Sequence, residues 1–221
     1  MNLLNSLSTS ISGAILCVAV SCSGALAEAC SSVVGADGTA QPALVMRGRP
    51  IPIEPAFEDY TFMLFDACEA WELSVSEECT IFPMMGEIEH NAVAAVCDGN
   101  PVIVYDRRLS RSVGGYEGAQ AVMAHELAHH VCGHLNGVRV TRAEAQAQEL
   151  EADRFAGATM RRLGFSREKA LGYLSLLANL PLVADLPTST HPAKARRRTE
   201  LLAGWDDTNS TCLGRRTPSP N

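Results

Sequence analysis

The chain has 221 residues, of which 47% are hydrophobic and 19% charged, and its formal net charge is -7. This composition excludes a disordered or fibrous chain and is typical of one globular domain with a substantial core. Nothing in the charge pattern is typical of a nucleic-acid-binding surface. We therefore expect a single folded domain without a nucleic-acid partner.

The first 27 residues have the features of a secretory signal peptide. They carry no charged side chain, are apolar from about Ile11 to Val20, and end in Ala25-Leu26-Ala27, the small-x-small pattern that signal peptidase cuts. We expect cleavage before Glu28 and a periplasmic or secreted protein. The apolar run is too short to favour a membrane span, and no later segment predicts one. An uncleaved anchor and lipidation at Cys22 are the alternatives.

Cysteine usage supports the same location. Removal of the signal peptide leaves an even number of cysteines, which in an exported chain predicts disulfides. The sequence does not choose among the possible pairings, and the absence of a Cys-x-x-Cys pair disfavours a thiolate metal site. The cysteines are Cys30, Cys68, Cys79, Cys97, Cys132 and Cys212.

The mature chain predicts little regular structure before residue 56. Residues 28–55 are rich in Gly, Pro and Ser, which favours an extended lead-in or a short propeptide. Apolar residues recur at three- and four-residue spacing over 56–73 and predict an amphipathic helix. Two β-prone runs, Asn91–Cys97 and Val102–Tyr105, flank the turn-forming residues 98–101 and predict a hairpin.

The second half of the chain predicts four helices. The first extends from about Glu117 to Gly133 or Gly137. The others run from Arg142 to Leu163, from after Ser166 to before Pro181, and from after Pro192, with a polar tail over 206–221. We therefore expect an α+β protein, mainly helical, with its catalytic domain at 56–205.

The residues His125, Glu126 and His129 form a His-Glu-x-x-His motif inside the first of these helices. Positions four apart share one helix face, so both imidazoles can bind one ion, while Glu126 projects beside it as a general base. This pattern predicts a hydrolytic zinc site. Catalytic zinc usually has three protein ligands, but the metzincin positions for Gly and a third His hold Cys132 and Leu135 here.

The next predicted helix offers carboxylates for the third ligand. Glu149 and Asp153 are four residues apart and share a face. Glu149 could complete the zinc shell, while Asp153 could accept a hydrogen bond from the far ring nitrogen of His125. Glu151 lies about 200 degrees round the helix from Glu149 and is the alternative ligand.

These residues resemble the gluzincin metallopeptidases, which pair His-Glu-x-x-His with a downstream Glu-x-x-x-Asp. More narrowly, they are similar to the family that contains the CAAX-prenyl endopeptidases, HtpX and BepA. Four blocks within about residues 75–205 carry the resemblance. They are residues 91–94, 124–129 with His134, 149–153, and 189–192 with the arginines at 196–198.

The resemblance implies a zinc endopeptidase with a minigluzincin core and a small sheet. It implies that an exposed strand, for which Val102–Tyr105 is the candidate, receives the substrate backbone. It also implies that His191 lies near the metal, where it could stabilise an oxyanion or occupy the open zinc position. The transmembrane helices and helical repeats of family members have no counterpart here, so we expect a small exported member that acts on proteins or peptides.

Two further functions remain open from the sequence. The first is a zinc-stabilised binding or chaperone-like module with suppressed proteolysis, although a purely structural zinc needs no Glu126. The second is a disulfide-linked structural protein without metal. Near the motif, His130 is expected to flank the site, His134 could help to orient it, and Cys132 is expected in a disulfide or in the core.

Overall fold

The computed structural model describes residues 29–35, 37–56, 59–136, 140–177 and 191–214. These residues form one seven-stranded β-sheet and six α-helices, which confirms the α+β class. The predicted signal peptide, with Cys22, and residues 215–221 of the tail lie outside the described residues. Residues 178–190 also lie outside them, and they include the predicted end of the helix after Ser166 and the first half of the block at 189–192.

The predicted hairpin is confirmed. Strand β6 (Ala92–Cys97) pairs antiparallel with β7 (Asn100–Tyr105), and Cys97 lies opposite Asn100. The two residues between them, Asp98 and Gly99, have φ values of 51° and 80°. Positive φ at both central positions is the conformation of a tight hairpin turn, and Asp-Gly is a preferred sequence for it.

The prediction that Val102–Tyr105 forms the exposed substrate strand is wrong. These residues lie in β7, which pairs with β6 on one side and in parallel with β5 (Phe82–Met85) on the other. Val102 to Tyr105 are all buried. Both edges of β7 are therefore occupied, and no further strand can join it.

The four remaining strands come from the segment expected to be an extended lead-in. They are β1 (Ala29–Val34), β2 (Ala40–Met46), β3 (Arg49–Pro52) and β4 (Glu54–Pro55), and the sheet order is β3-β2-β1-β6-β7-β5-β4. The segment is part of the same sheet, and the sheet is larger than expected. Removal of these residues as a propeptide stays a prediction, but it would take away more than half of the strands.

Six helices pack with the sheet in the described residues, and four of them begin within two residues of their predicted starts. Helix α4 begins with a capping box, in which Thr141 and Glu144 bond each other's backbone, and ends before Gly164, whose φ is 80°. Ser166 caps the next helix through a bond from the Lys169 backbone N–H. The helices are α1 (Asp59–Ala70), α2 (Leu109–Ser112), α3 (Tyr116–Val131), α4 (Arg142–Arg162), α5 (Arg167–Leu177) and α6 (Lys194–Asp206).

The two faces of the sheet pack into different clusters. Along β7, Ile103 and Tyr105 pack into the main core with helices α1, α3 and α4, whereas Val102 and Val104 pack into a smaller cluster with Leu44 of β2. This period-2 alternation is what a strand buried on both faces requires. The packing of Ile103 and Tyr105 in the main core also holds α3 against the sheet.

Two glycines allow α4 and α6 to approach to backbone contact. A Cβ added to Gly157 would lie 1.9 Å from the carbonyl oxygen of Leu201, and one added to Gly204 would lie 1.8 Å from that of Arg154. Atoms cannot approach so closely, so larger side chains here would force the helices apart. The close crossing fixes the second half of α6 beside the middle of α4.

Three disulfides join the six cysteines of the described part of the chain, as their even number predicted. They are Cys30–Cys97, Cys68–Cys79 and Cys132–Cys212. The last one ties the segment after α6 to the end of α3. Within the described ranges, no helix is both long and apolar enough to cross a bilayer.

Candidate metal centre

Helix α3 places two imidazole nitrogens next to each other. His125 and His129 lie one turn apart, and their Nε2 atoms are 3.3 Å apart. Their side chains are only 8% and 12% exposed. Two ring nitrogens this close, largely shielded from water, are suited to share one cation.

Helix α4 adds Glu149 to this pair. Glu149 Oε2 lies 3.5 Å from His125 Nε2, and Oε1 lies 3.6 Å from His129 Nε2. A tetrahedral shell with bonds of about 2.0–2.1 Å separates its ligand atoms by about 3.3–3.4 Å. Oε2 is also buried without a hydrogen-bond partner. These three residues therefore form a candidate metal-binding group, with the spacing that one tetrahedral ion requires.

Glu126 lies next to this group and is held by the sheet. Its Oε2 accepts a hydrogen bond of 2.7 Å from the backbone N–H of Ala94 in β6. Among the described residues, β6 pairs with β1 only between Val96 and Ala29, so the Ala94 amide is left to face α3. The carboxylate expected to act as a base is thus fixed beside the candidate metal ligands.

Asp153 lies behind His125, as the sequence predicted. Its Oδ1 is 3.2 Å from His125 Nδ1, although the two are not aligned as a well-formed hydrogen bond. Arg197 of α6 donates from Nε to Oδ2 and from Nη2 to Oδ1 of Asp153, both at 2.7 Å. Asp153 is fully buried and Arg197 is 4% exposed. A paired guanidinium therefore fixes the carboxylate that supports His125.

A second set of contacts lies behind His129. His134 Nδ1 is 3.1 Å from His129 Nδ1, and His134 Nε2 is 3.2 Å from Glu151 Oε2. Glu151 thus faces away from Glu149, as the helical geometry predicted, and contacts His134 instead. Cys132, His134 and Glu151 could form a second metal-binding group, but the Cys132 sulfur is bonded to Cys212.

His191, just before α6, also reaches the candidate centre. Its Nε2 lies 3.4 Å from Glu149 Oε2, and its side chain is 38% exposed. Burial lowers the pKa of His191, partly offset by the charge on Glu149. The His191 side chain is thus more exposed than those of His125, His129 and Glu149.

The charges in the site favour a cation. Burial alone would lower the pKa of His125, but the carboxylates of Asp153 and Glu149 raise it to about 10. Burial, only partly offset by Glu149, lowers the pKa of His129 to about 3. Burial would raise the pKa of Glu149, but the neighbouring imidazoles hold it well below its usual value. A metal ion must therefore displace the proton of His125, so metal affinity should increase with pH.

Comparison with known proteins does not assign the chain to a family. No protein-family model, curated protein or solved structure matches the chain. The chemistry of the site therefore rests on its own residues.

Among the contacts of the centre that the sequence did not predict are those of Arg197 and of the Ala94 amide. Arg197 was part of a run of three arginines, and only the packing of α6 on α4 selects the one that faces Asp153. The role of Ala94 depends on a backbone N–H, which carries no signal in the side-chain pattern. A helical-wheel comparison of α6 could have narrowed the choice of arginine, but not without the position of α4.

Proposed function

We propose that the protein is a zinc-dependent endopeptidase of the gluzincin type that acts in the periplasm or outside the cell. The observation that carries the proposal is the convergence of His125 Nε2, His129 Nε2 and Glu149, with Glu126 fixed beside them. Two imidazoles and a carboxylate would leave one of the four zinc positions to a water molecule, and such a ligand set is typical of hydrolytic zinc. A metal with a purely structural role would more usually have four protein ligands.

The residues around the site divide the chemistry of peptide hydrolysis between them. When bound, zinc would activate a water molecule and polarise the scissile carbonyl. Glu126, oriented by the Ala94 amide, accepts the proton of the attacking water and delivers it to the leaving amine. His191 is positioned to donate a hydrogen bond to the carbonyl oxygen as negative charge develops on it.

We assign substrate binding to β6 instead of β7. In an antiparallel pair, alternate residues turn their N–H and C=O groups away from the partner strand. The bond from Ala94 to Glu126 identifies Ala94 as one of these outward residues, in the part of β6 that precedes its contact with β1 at Val96. Because the Ala94 N–H already donates to Glu126, a peptide added along this stretch would bond to the remaining outward groups of β6 and lie next to Glu126. Strand addition would thereby bring its carbonyl to the site.

Two separate features support the proposed periplasmic or secreted location. Three disulfides are consistent with an oxidising compartment. The first 27 residues have signal-peptide features and end in a cleavage pattern before Glu28. Intact-mass measurement of the exported protein tests this part, and a mass that includes residues 1–27 would contradict it.

The function is tested by mass-spectrometric profiling of cleavage in a broad peptide library. The mature protein is assayed as purified, after removal of metal with a chelator, and after addition of one equivalent of zinc. We expect internal peptide bonds to be cut, cleavage to cease on chelation, and zinc to restore it. A zinc-loaded protein that cuts no peptide but still captures one would support the binding module and contradict the proposed function. A protein without bound metal would contradict both.

A further inference from the structure

His129 receives its support from another imidazole, whereas His125 receives it from a carboxylate. The Nδ1 atoms of His129 and His134 are 3.1 Å apart, and His134 Nε2 is 3.2 Å from Glu151 Oε2. The His134 side chain is 4% exposed. The three groups thus form a continuous line from the candidate metal to a half-buried carboxylate.

Only one arrangement of protons satisfies this line when His129 binds a metal. Nε2 of His129 then uses its lone pair on the ion, so the ring proton must lie on Nδ1. That proton points to His134 Nδ1, which must accept it and therefore cannot carry a proton. The proton of a neutral His134 then lies on Nε2, where it is donated to the carboxylate of Glu151. Each tautomer follows from the next group in the line.

We propose that His134 and Glu151 are positioning residues that fix the tautomer and ring orientation of His129 for metal binding. The proposal rests on the proposed metal site and deepens it. Glu151 acts at a distance, because it selects the His134 tautomer that accepts from His129. The sequence leaves Glu151 as the alternative ligand, but its bond to His134 gives it a different function.

The Cys132–Cys212 disulfide supports this line. Cys132 is the first residue after α3, and Gly133 follows with a φ of 78°, which turns the chain so that His134 folds back toward His129. The backbone N–H of His134 also donates to the carbonyl of His129 at 2.9 Å. The turn is thereby held at both ends, and the position of the His134 ring is defined.

The test measures zinc affinity in the full mature chain by competition with a chromogenic chelator. His134→Phe keeps the ring shape without nitrogen, and Glu151→Leu removes the acceptor. We expect each to weaken zinc binding about 10–100-fold. Glu151→Gln keeps an acceptor oxygen and should bind more tightly than Glu151→Leu. His130→Phe is the matched control. It removes a histidine of α3 that bonds the Val102 carbonyl instead of His129, so this variant should bind zinc like the wild type.

A second measurement does not depend on variants that fold well. Nitrogen-15 NMR of zinc-loaded wild-type protein should find the ring proton of His129 on Nδ1 and that of His134 on Nε2. In Glu151→Leu, a second tautomer of His134 should appear. A His134 proton on Nδ1 in the wild type, or wild-type affinity in both His134→Phe and Glu151→Leu, would overturn the proposal.

These outcomes separate the two proposals. If the wild type binds zinc and cuts peptides while the variants bind equally well, the positioning role fails and the proposed function stands. If zinc binding responds to the variants as expected but no peptide is cut, the positioning role stands and the proposed function fails. A wild type that binds no zinc overturns both.

Discussion

Replacement of Arg197 by Met should destabilise the fold much more than disruption of a neighbouring ion pair between the same helices. Arg197 and Asp153 are 4% and 0% exposed, so the variant leaves a buried carboxylate without two hydrogen bonds of 2.7 Å. Removal of one partner of a buried pair costs about 3–5 kcal/mol. A domain has a free energy of unfolding of only about 5–15 kcal/mol.

The matched control is Arg154→Met, which breaks the pair between Arg154 of α4 and Glu200 of α6. These side chains are 30% and 24% exposed, so the expected loss is about 1 kcal/mol or less. Urea unfolding of the metal-free protein, followed by tryptophan fluorescence with disulfides intact, measures both variants. With a slope of about 2 kcal/mol per molar urea, Arg197→Met should lower the midpoint by about 1.5–2.5 M.

A double variant isolates the cause. Arg197→Met combined with Asp153→Leu removes both charges of this pair, so it should be more stable than Arg197→Met alone. The reasoning is refuted if Arg197→Met costs no more than Arg154→Met, or if the double variant is less stable than the single one.

Two further predictions concern the packing and the pH response of the fold. Gly157→Ala should lower the free energy of unfolding by about 1–3 kcal/mol in the same assay, because its Cβ would meet the Leu201 carbonyl. The control is Gly172→Ala, whose Cβ meets nothing within 4 Å and which should not destabilise the fold. Equal losses of stability in the two variants would contradict the close crossing of α4 and α6. Despite burial, bonds from Arg108 lower the pKa of Asp106 to about 2, so this carboxylate stabilises the fold above its unfolded pKa of about 4 and loses that effect as the pH falls through about 2. The effect is about 1–2 kcal/mol, since Arg108 is 45% exposed. Urea titrations across this range should show a smaller slope of stability against pH in Asp106→Asn than in the wild type, and the same slope in both would contradict it.

The sequence predicted the elements that carry the candidate metal ligands because each is defined by local chemistry. The four-residue spacings of His125 with His129 and of Glu149 with Asp153 each define one face of a helix. Asp98-Gly99 defines the hairpin because both residues tolerate positive φ. None of these features depends on distant parts of the chain.

The sheet could not be predicted in the same way, because its strands depend on distant partners. Strand β5 has the sequence Phe-Pro-Met-Met, in which Pro83 argues against a strand inside a sheet, yet it pairs in parallel with β7. Strands β1 to β4 lack a clear period-2 alternation. The error about Val102–Tyr105 followed directly, since a hairpin without β5 would leave β7 exposed.

The contacts behind the candidate metal ligands could not be predicted from the sequence for a related reason. Arg197 meets Asp153 only because Gly157 and Gly204 bring α4 and α6 into contact. Glu151 was correctly expected to face away from Glu149, but its bond to His134 depends on the turn after α3. Such pairs join residues that are far apart in sequence or separated by a loop, so no local pattern identifies them.

The most direct test of the proposed zinc endopeptidase activity is the Glu126→Gln variant, compared with wild type in a peptide-cleavage assay at equal zinc content. Gln keeps an oxygen that can accept from the Ala94 amide but cannot take a proton from water, so zinc should stay near one per chain while cleavage falls about 100- to 10,000-fold. A variant that binds zinc and cleaves peptides at the wild-type rate would contradict the account.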